Sequence, residues 1–335
     1  MATKIAINGF GRIGRIFFRE AFGKEDLDIV AVNDLGSAEN LAYLLKYDTV
    51  YKQYGKSVEV KGGSIWVDGK EVKVLSEKDP SKLPWKDLGV DIVIESTGIF
   101  ETAEKAKGHL DAGAKRVVIS APAKDDTTPT ATPNVGFQTL SQSTITSNAS
   151  CTTNCVNPVV AILMSSVGIK KAMLNTVHGY TATQMLVDGP GGKDFRRGRA
   201  AAQNIVPSTT GAAKATTRII TELEGKFDGI ALRVPVVAGS LIDLTFIASR
   251  PTTVEEVNGI FKAACATSEW SDVIAYNDEQ IVSSDILGNT HGSIFDATLT
   301  KVVDGDLVKV FSWYDNEYGY TGMLVKHVRE VAKLM

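Results

Sequence analysis

Three glycines in a fixed spacing, Gly9, Gly11 and Gly14, constrain the fold of this chain more than any other feature. They follow the apolar run 4–8, which is typical of a buried strand, and precede a segment with helical periodicity. Glycines at this spacing permit a tight turn and a close approach of the backbone to a pyrophosphate. The start of the next helix then offers free N–H groups to the same anion. The pattern predicts a βαβ unit that binds a dinucleotide.

An acidic residue, Asp34, follows the second predicted strand, 28–33. It lies about 20 residues beyond the last glycine, where this fingerprint places an acid that binds the ribose hydroxyls. A carboxylate there repels a 2′-phosphate, so NAD is favoured over NADP. The alternative is a glycine-rich turn followed by a coincidental acid. A nucleoside-triphosphate loop is unsupported, because Gly192-Lys193 is followed by Asp194 rather than by Ser or Thr.

The two halves of the chain have different patterns of strands and helices. The first alternates short β-branched runs with helices and has hairpin signals between 58 and 74, which predicts a Rossmann-type, doubly wound parallel sheet. The second half has longer alternating strands and predicts an α+β domain with a largely antiparallel sheet. These later strands are expected near 171–177, 229–237, 241–248 and 301–313. An ordered, functional loop over 179–207 and an amphipathic helix over 320–334 complete the prediction.

Composition excludes several classes of protein. The chain has 335 residues, 44% of them hydrophobic and 22% charged, which is ordinary for a globular protein with two cores. A net charge of −3 gives no reason to expect nucleic acid or acidic lipid as a primary partner. The best apolar run, 158–164, is too short to span a membrane, and a strand pattern begins at once. With only three cysteines and no disulfide framework, we expect a cytoplasmic location.

Cys151 is the candidate nucleophile. Ser150 is a suitable N-cap, which would place Cys151 in the first turn of a helix, where the helix dipole favours a thiolate. A nearby histidine would serve as acid and base. Of the four histidines His178 is the best candidate, because it ends a predicted strand and is followed by Gly179. The spacing alone leaves this pairing open.

The remaining cysteines and histidines are interpreted as structural. Cys155 and Cys265 are expected to be core residues. His109 and His327 lie in predicted helices with charged neighbours and are expected on solvated faces, while His291 is assigned no role. Because the chain has neither HExxH nor CxxC, a metal site is not expected.

Two motifs together carry a family resemblance. The stretches 147–155 (Ser-Asn-Ala-Ser-Cys-Thr-Thr-Asn-Cys) and 8–15 (Asn-Gly-Phe-Gly-Arg-Ile-Gly-Arg) closely resemble the phosphorylating glyceraldehyde-3-phosphate dehydrogenases. The likeness extends over nearly the whole chain, with further matches at 95–98, 233–235 and 313–318. It implies NAD-dependent oxidation and phosphorylation of D-glyceraldehyde 3-phosphate to 1,3-bisphosphoglycerate, through a cysteine thioester, in glycolysis or gluconeogenesis.

The resemblance also implies roles for individual residues. Cys151 would be the nucleophile and His178 its base. The substrate's C3 phosphate would meet Thr181 and Arg233, and inorganic phosphate would meet Ser150, Thr152, Thr210 and Gly211, with Arg197 nearby. The cofactor would contact Arg12, Ile13, Asp34, Lys78, Ser120 and Asn316. Alternatives stay open for three of these cations: a solvated loop or subunit contact for Arg197, a solvated charge for Lys78, and a buried ion pair for Arg233.

The same resemblance implies the domain organisation and the assembly. An NAD-binding domain over 1–150 would be completed by the C-terminal helix 316–335, a catalytic domain would span 151–315, and the loop 179–207 would lie at the subunit interface of a homotetramer. The chain departs from the family pattern at 49–53, 130–136 and 235–240. Three rival functions remain: an erythrose-4-phosphate dehydrogenase that forms the free acid, a semialdehyde dehydrogenase, and a non-catalytic NAD-binding protein.

Overall fold

The computed structural model describes residues 2–335, which form two compact units. The first unit comprises the chain up to Ala131, then Gly136–Ala149 and Leu324–Met335. The second comprises Thr132–Val135 and Ser150–Met323. This division passes through the last helix, whose first six residues group with the second unit.

The first unit is built on an eight-stranded sheet. Its strands in chain order are β1 (Thr3–Asn8), β2 (Leu27–Asn33), β3 (Val58–Lys61), β4 (Ser64–Val67), β5 (Lys70–Leu75), β6 (Ile92–Glu95), β7 (Arg116–Ile119) and β8 (Ile145–Ser147). Their spatial order is β3-β4-β5-β2-β1-β6-β7-β8. The six strands from β5 to β8 in that order pair in parallel, whereas β3, β4 and β5 form the antiparallel hairpins that the sequence predicted. The sheet is doubly wound around β1, which confirms the predicted fold.

Helices connect these parallel strands. They are α1 (Arg12–Ala21), α2 (Ala38–Lys46), α3 (Trp85–Leu88) and α4 (Ala103–Asp111). The central strands β1 and β6 are apolar on both faces, since Ile5, Ala6 and Ile7 are fully buried, as are Ile92, Val93 and Ile94. Strands of this kind belong in the middle of a parallel sheet that is covered on both sides. The ends of β1, β2 and β6 therefore meet at one edge, where the chain's glycine motif lies.

The second unit is built on a seven-stranded sheet. Its strands are β9 (Ile169–Gly179), β10 (Val206–Thr209), β11 (Phe227–Val234), β12 (Ser240–Ala248), β13 (Ile274–Asn277), β14 (Ser293–Val303) and β15 (Leu307–Tyr314). In the spatial order β10-β11-β9-β12-β15-β14-β13, all pairs are antiparallel except β11–β9 and β13–β14. The prediction of a largely antiparallel sheet is confirmed. The single strand expected over 301–313 was wrong, because the chain reverses at Asp304-Gly305, both with positive φ, between β14 and β15.

The remaining helices are α5 (Cys151–Met164), α6 (Ala212–Thr217), α7 (Val254–Cys265) and α8 (Tyr318–Ala332). The apolar side chains that alternate along β12 pack with α5 and α7 in one core of the second unit. Phe261 of α7 stacks on Phe295 with 3.8 Å between ring centroids. The predicted C-terminal helix is confirmed as α8. None of the helices formed by residues 2–335 is both long and apolar enough to cross a bilayer.

His327 of α8 corrects one expectation from the sequence. It was expected on a solvated helix face but is fully buried in the first unit. Its Nε2 lies 2.9 Å from Thr146 Oγ1, and its ring meets that of Phe137 edge-on at 5.9 Å. Burial lowers the pKa of His327 to about 4, so the imidazole is neutral at neutral pH. Its charged neighbours on α8, Lys326 and Arg329, are themselves only partly exposed.

Candidate active site

Cys151 is the first residue of α5, and the local sequence places it there. Ser150 is the N-cap, since its Oγ accepts a hydrogen bond from Thr153 N at 3.0 Å, which confirms the predicted cap. The preceding residue, Ala149, has a φ of +56° and is fully buried. Such a conformation is rare for alanine and turns the chain sharply into the helix. The nucleophile candidate therefore lies at a fixed position on a well-capped helix start.

His178 faces Cys151 across a short gap. It lies at the end of β9, is buried, and has its Nε2 3.3 Å from Cys151 Sγ. This distance is within hydrogen-bond range for sulfur. The pairing that the spacing left open is thus present in the structure, and both residues belong to the second unit. A thiol and an imidazole so arranged have the geometry that a nucleophile and its base require.

The other side of the His178 ring is held by Gly179 and Arg233. His178 Nδ1 lies 2.6 Å from Gly179 O, and Arg233 Nη1 lies 2.6 Å from the same Nδ1 and 3.2 Å from Gly179 O. Because Gly179 O can only accept and Arg233 Nη1 can only donate, Nδ1 bonds one of them at a time. In the tautomer whose Nδ1–H donates to Gly179 O, Arg233 donates to the same carbonyl, and Nε2 is the bare nitrogen that can accept the thiol proton. Arg233 reaches this place because β11 pairs with β9 in a register that sets Arg233 opposite His178.

Burial dominates the charge states of this pair. It raises the pKa of the Cys151 thiol, while Arg233 acts in the opposite direction. It lowers the pKa of His178 to about 3, and Arg233 adds to that effect. From the sequence, the first-turn position of Cys151 predicted that the helix dipole favours the thiolate. That contribution is only about 0.3–1 kcal/mol at exposed sites, less than the cost of burying a charge. The pair therefore rests as a thiol and a neutral imidazole.

Arg233 is a half-buried cation with no carboxylate beside it. No ion pair to Arg233 is found among residues 2–335, so the buried ion pair considered as an alternative is absent there. Burial lowers the pKa of Arg233, and the positive charge of Arg197 acts in the same direction. Arg233 and Arg197 are thus close enough to repel each other, and no acid lies beside Arg233. A bound anion would stabilise this pair of guanidinium groups.

The predicted phosphate-contacting residues occupy several neighbouring elements of the second unit. Arg197 donates from Nε and Nη2 to Ser208 Oγ, at 3.1 and 2.7 Å. Thr181 follows β9, and its Oγ1 lies 3.0 Å from Thr183 Oγ1. Thr210 and Gly211 lead into α6, with Ala212 N donating to Thr210 Oγ1 at 3.2 Å. The side chains of Thr181, Arg197 and Thr210 are half-buried and lie next to the strands that carry His178 and Arg233.

Thr152 lies deeper than expected for a residue that meets phosphate. It is buried, and its Oγ1 is 2.9 Å from the hydroxyl of Tyr314. Tyr314 OH is also 2.8 Å from Thr176 Oγ1, and the Tyr314 ring meets the His178 ring edge-on at 5.9 Å. Burial raises the pKa of Tyr314, so it remains a neutral phenol. Tyr314 lies in the stretch 313–318 that matches the family pattern, but its place beside His178 follows only from the pairing of β15 with β12.

Cys155 and Cys265 have the structural roles expected of them. Cys155 is buried one turn after Cys151, with Sγ 3.4 Å from Ser293 Oγ, and burial raises its pKa to about 12. Cys265 ends α7 and packs against the same core, half-buried. Among residues 2–335 no cluster of acidic, cysteine and histidine residues could hold a metal ion.

The glycine motif in the first unit has the geometry that a dinucleotide requires. Gly9 has a φ of +92°, and a Cβ there would lie 2.6 Å from Thr97 N. A Cβ on Gly14 would lie 2.2 Å from Gly9 O, so the third glycine allows α1 to pack on β1. A Cβ on Gly11 would meet nothing within 4 Å, and Gly11 is the N-cap of α1 without a side-chain cap. Its backbone is therefore open to a pyrophosphate.

A cleft of about 440 Å³ lies beside this motif, at the ends of the central strands. Its lining residues are Asn8, Gly9, Gly11, Asn33, Asp34, Leu35, Glu77, Lys78, Ser96, Thr97, Ile99 and Phe100. Asp34 lies at the edge expected of the ribose-binding acid, with Oδ2 accepting from Phe10 N at 2.8 Å and Oδ1 from Gly36 N at 3.0 Å. The glycines, the acid and the cleft together fit a dinucleotide.

The other predicted cofactor residues are more dispersed. Arg12 begins α1 and forms an ion pair with Asp48, and Ile13 follows it, half-buried. Ser120 follows β7 and donates its N–H to Glu95 O at 2.9 Å. These three do not line the cleft. Asn316 lies in the second unit, where its Oδ1 accepts two hydrogen bonds.

A buried polar network that the sequence did not predict lies behind the cleft. The Glu95 carboxyl accepts from Asn8 Nδ2 at 2.6 Å and from Thr97 N at 2.8 Å, and it faces His109 Nε2 at 3.0 Å. Trp85 Nε1 donates to His109 Nδ1 at 3.0 Å. The expectation that His109 lies on a solvated face was wrong, because this side chain is fully buried. A glutamate inside the apolar strand β6 was the one available signal.

Comparison with known proteins gives consistent matches over the whole chain. Residues 3–103 match the family model described as the NAD binding domain of glyceraldehyde 3-phosphate dehydrogenase. Residues 150–316 match its C-terminal domain. The chain is 52% identical over 334 residues to "Glyceraldehyde-3-phosphate dehydrogenase" of Thermotoga maritima, covering 99% of this chain and 100% of the relative. It is 50% identical over 337 residues to the protein of the same name from Clostridium pasteurianum, covering 99% of each.

Proposed function

The chain belongs to the glyceraldehyde-3-phosphate dehydrogenase family, and we propose that it oxidises and phosphorylates D-glyceraldehyde 3-phosphate to 1,3-bisphosphoglycerate with NAD. The observation that carries this proposal is the 3.3 Å contact between Cys151 Sγ and His178 Nε2 beside Arg233. The names of the relatives favour this reaction over the oxidation of erythrose 4-phosphate.

The first chemical stage uses the neutral imidazole of His178. Nε2 takes the proton from Cys151 Sγ, the thiolate adds to the aldehyde carbon, and the imidazolium returns the proton to the aldehyde oxygen to give a hemithioacetal. The imidazole, neutral again, then accepts the proton of the hemithioacetal hydroxyl as the C–H bond breaks. Bound NAD supplies the acceptor for the hydride that leaves this carbon. Oxidation of the hemithioacetal leaves the acyl group bound to Cys151 Sγ as a thioester.

The second stage transfers the acyl group to inorganic phosphate. A phosphate oxygen attacks the thioester carbonyl, and Cys151 Sγ leaves as a thiolate. The oxyanion that forms on the way is within reach of the free N–H groups at the start of α5 and of the His178 imidazolium. Covalent catalysis thereby divides one difficult oxidation into two easier steps.

Arg233 and the residues around it supply the proposed anion sites. A guanidinium without a carboxylate partner suits a phosphate dianion, and Arg197 adds a second positive charge. We assign the substrate's C3 phosphate to Thr181 and Arg233, and inorganic phosphate to Ser150, Thr210 and Gly211 with Arg197. Thr152 would act through its backbone N–H, because its hydroxyl is engaged by Tyr314.

Cofactor contacts are proposed from the first unit and from Asn316. The cleft supports Asp34 and Lys78 as contacts of the adenosine half, and Arg12, Ile13 and Ser120 remain assignments by family resemblance. A homotetramer and a cytoplasmic location also remain predictions. Light scattering after gel filtration would test the first, since a tetramer has four times the chain mass of 35.9 kDa.

The deciding experiment follows NADH formation from glyceraldehyde 3-phosphate or erythrose 4-phosphate, with and without inorganic phosphate. We expect continuous turnover only with glyceraldehyde 3-phosphate and phosphate. Without phosphate, NADH should stop at about one equivalent per chain, because the thioester is not cleaved. Continuous NADH formation without phosphate would refute the phosphorylating reaction.

Variants at two cysteines test the nucleophile. Cys151→Ser should abolish turnover and leave NAD binding nearly unchanged, because the cofactor cleft is in the first unit. Cys265→Ser is the matched control: its thiol is half-buried at the end of α7 and should be dispensable. Turnover by Cys151→Ser at the rate of the control would remove Cys151 from its role.

A further inference from the structure

The Ser208 hydroxyl holds the guanidinium of Arg197. Arg197 belongs to a short 3-10 turn, Phe195–Gly198, within the loop 179–207, and its side chain reaches from there to β10. Nε and Nη2 both donate to Ser208 Oγ, at 3.1 and 2.7 Å, and a serine oxygen has a lone pair for each. The guanidinium makes no other hydrogen bond or ion pair within residues 2–335. Nη1 and the second hydrogen of Nη2 are therefore open to a ligand.

Ser208 lies on the face of the sheet that carries the proposed active site. In the antiparallel pair of β10 and β11, Ser208 lies opposite Ala231, and Val206 lies opposite Arg233. Arg233 in turn lies opposite His178 on β9. Opposite residues, and alternate residues of one strand, point to the same side of a sheet. The buried hydroxyl of Ser208 is therefore on the same side as Arg233 and His178.

The electrostatic surroundings of Arg197 oppose the position that Ser208 gives it. Burial lowers the pKa of Arg233, and the positive charge of Arg197 lowers it further, so the two cations repel each other. In its own loop, Asp194 has a pKa lowered by its hydrogen bond with Arg196 and also by the charge of Arg197. Repulsion favours rotamers that carry the guanidinium away from Arg233, and Asp194 offers a carboxylate elsewhere. The two bonds to Ser208 are what oppose this movement.

We propose that Ser208 is a positioning residue that keeps the Arg197 guanidinium near Arg233, with its open N–H groups available to the inorganic phosphate that attacks the thioester. This inference rests on the proposed function, which assigns that phosphate to Thr210 and Gly211 with Arg197. Thr210 follows Ser208 by two residues, so the end of β10 supplies both the anchor of the cation and part of the phosphate site. Ser208 acts through Arg197 and does not itself contact the phosphate.

The two stages of the reaction separate this role from a general effect on structure. The value of kcat/KM for glyceraldehyde 3-phosphate reflects formation of the thioester, whereas kcat/KM for phosphate reflects its cleavage, because the two substrates enter at different stages. Without its anchor, Arg197 has to be ordered each time phosphate binds, and ordering one long side chain has a free-energy cost. The loss of the Ser208 hydroxyl should therefore lower kcat/KM for phosphate alone.

The experiment measures both values from NADH formation by the full chain at saturating NAD. Ser208→Ala removes the hydroxyl, and Ser208→Thr keeps it. Ser312→Ala is the matched control, a buried serine of β15 whose Oγ lies 2.7 Å from Ser293 Oγ. We expect Ser208→Ala to lower kcat/KM for phosphate about 3- to 10-fold, the scale of ordering one side chain, and to keep the value for glyceraldehyde 3-phosphate. Ser208→Thr and Ser312→Ala should keep both values.

A double-mutant cycle with Arg197 separates positioning from direct contact. Arg197→Ala should lower kcat/KM for phosphate by at least as much as Ser208→Ala does. If Ser208 acts only through the guanidinium, Ser208→Ala should have no further effect in the chain that already carries Arg197→Ala.

Three results would overturn the inference. One is an unchanged kcat/KM for phosphate in Ser208→Ala. Another is an equal loss for both substrates, which would show that the hydroxyl serves the structure in general. The third is a further loss in the double variant, which would show that Ser208 contacts the phosphate itself. Continuous NADH formation by the wild-type chain without phosphate would instead refute the proposed function.

Discussion

Replacement of Glu95 by glutamine would test the buried network behind the cofactor cleft. Every group that faces the Glu95 carboxyl acts as a donor. Trp85 Nε1 can only donate, so His109 Nδ1 accepts and a neutral His109 carries its proton on Nε2, toward Glu95 Oε2. Asn8 Nδ2 faces the same oxygen, and both the backbone N–H and the hydroxyl of Thr97 face Oε1. A carboxylate accepts all of these bonds, whereas an amide accepts on one atom only.

The size of the effect follows from the two possible orientations of the glutamine. If its nitrogen replaces Oε2, it meets the donors of both Asn8 and His109. If it replaces Oε1, it meets the backbone N–H and the hydroxyl of Thr97; this is the less costly arrangement, because the hydroxyl can turn and accept from the amide. One buried donor then loses its acceptor, at about 1–3 kcal/mol, and the remaining bonds lose a charged acceptor. We expect Glu95→Gln to lower the free energy of unfolding by about 3 kcal/mol.

Urea denaturation followed by tryptophan fluorescence measures this loss, because Trp85 is itself part of the network. The matched control is Glu25→Gln, at an exposed glutamate of the same unit, for which the change should stay within about 0.5 kcal/mol. The midpoint of Glu95→Gln should shift to lower urea with an unchanged slope. A midpoint equal to that of Glu25→Gln would refute the claim that these donors depend on a carboxylate.

Two further predictions concern the first unit. Asp34→Ala should reduce the preference for NAD over NADP, because it removes the carboxylate that repels a 2′-phosphate at the cleft. The measurement is the ratio of the dissociation constants for NADP and NAD. The same ratio in the variant and in the wild type would contradict this prediction. His327 has a pKa of about 4 when folded, against an ordinary value of 6.5. The unfolded chain therefore binds the proton more readily between these values, so stability is lost as pH falls from 6.5 toward 4, by about 2 kcal/mol at pH 5. His327→Leu should remove this pH dependence of the free energy of unfolding. If the free energy fell with pH at the same slope in the variant and in the wild type, the prediction would be wrong.

The sequence by itself determined the local features of this protein. The glycine spacing after β1, the acid after β2 and the Ser150 cap before Cys151 depend on residues within one turn or one strand–helix unit. Alternation of apolar residues likewise distinguished the parallel sheet from the antiparallel one. Such features are readable because backbone sterics and hydrogen bonds act over a few residues.

Tertiary structure decided which distant residues meet and what charge they carry. Arg233 reaches His178 only through the register of β11 on β9, and Ser240 reaches Asn316 only because β12 lies beside β15. His109 is buried because Glu95 arrives from another strand to satisfy its ring. Local periodicity indicates which face of a strand is buried, but not which residue of which other strand lies opposite, and every such pairing depends on the latter. Burial then shifts the pKa of each ionisable group by an amount that depends on all of its surroundings. The neutral Cys151–His178 pair is an example.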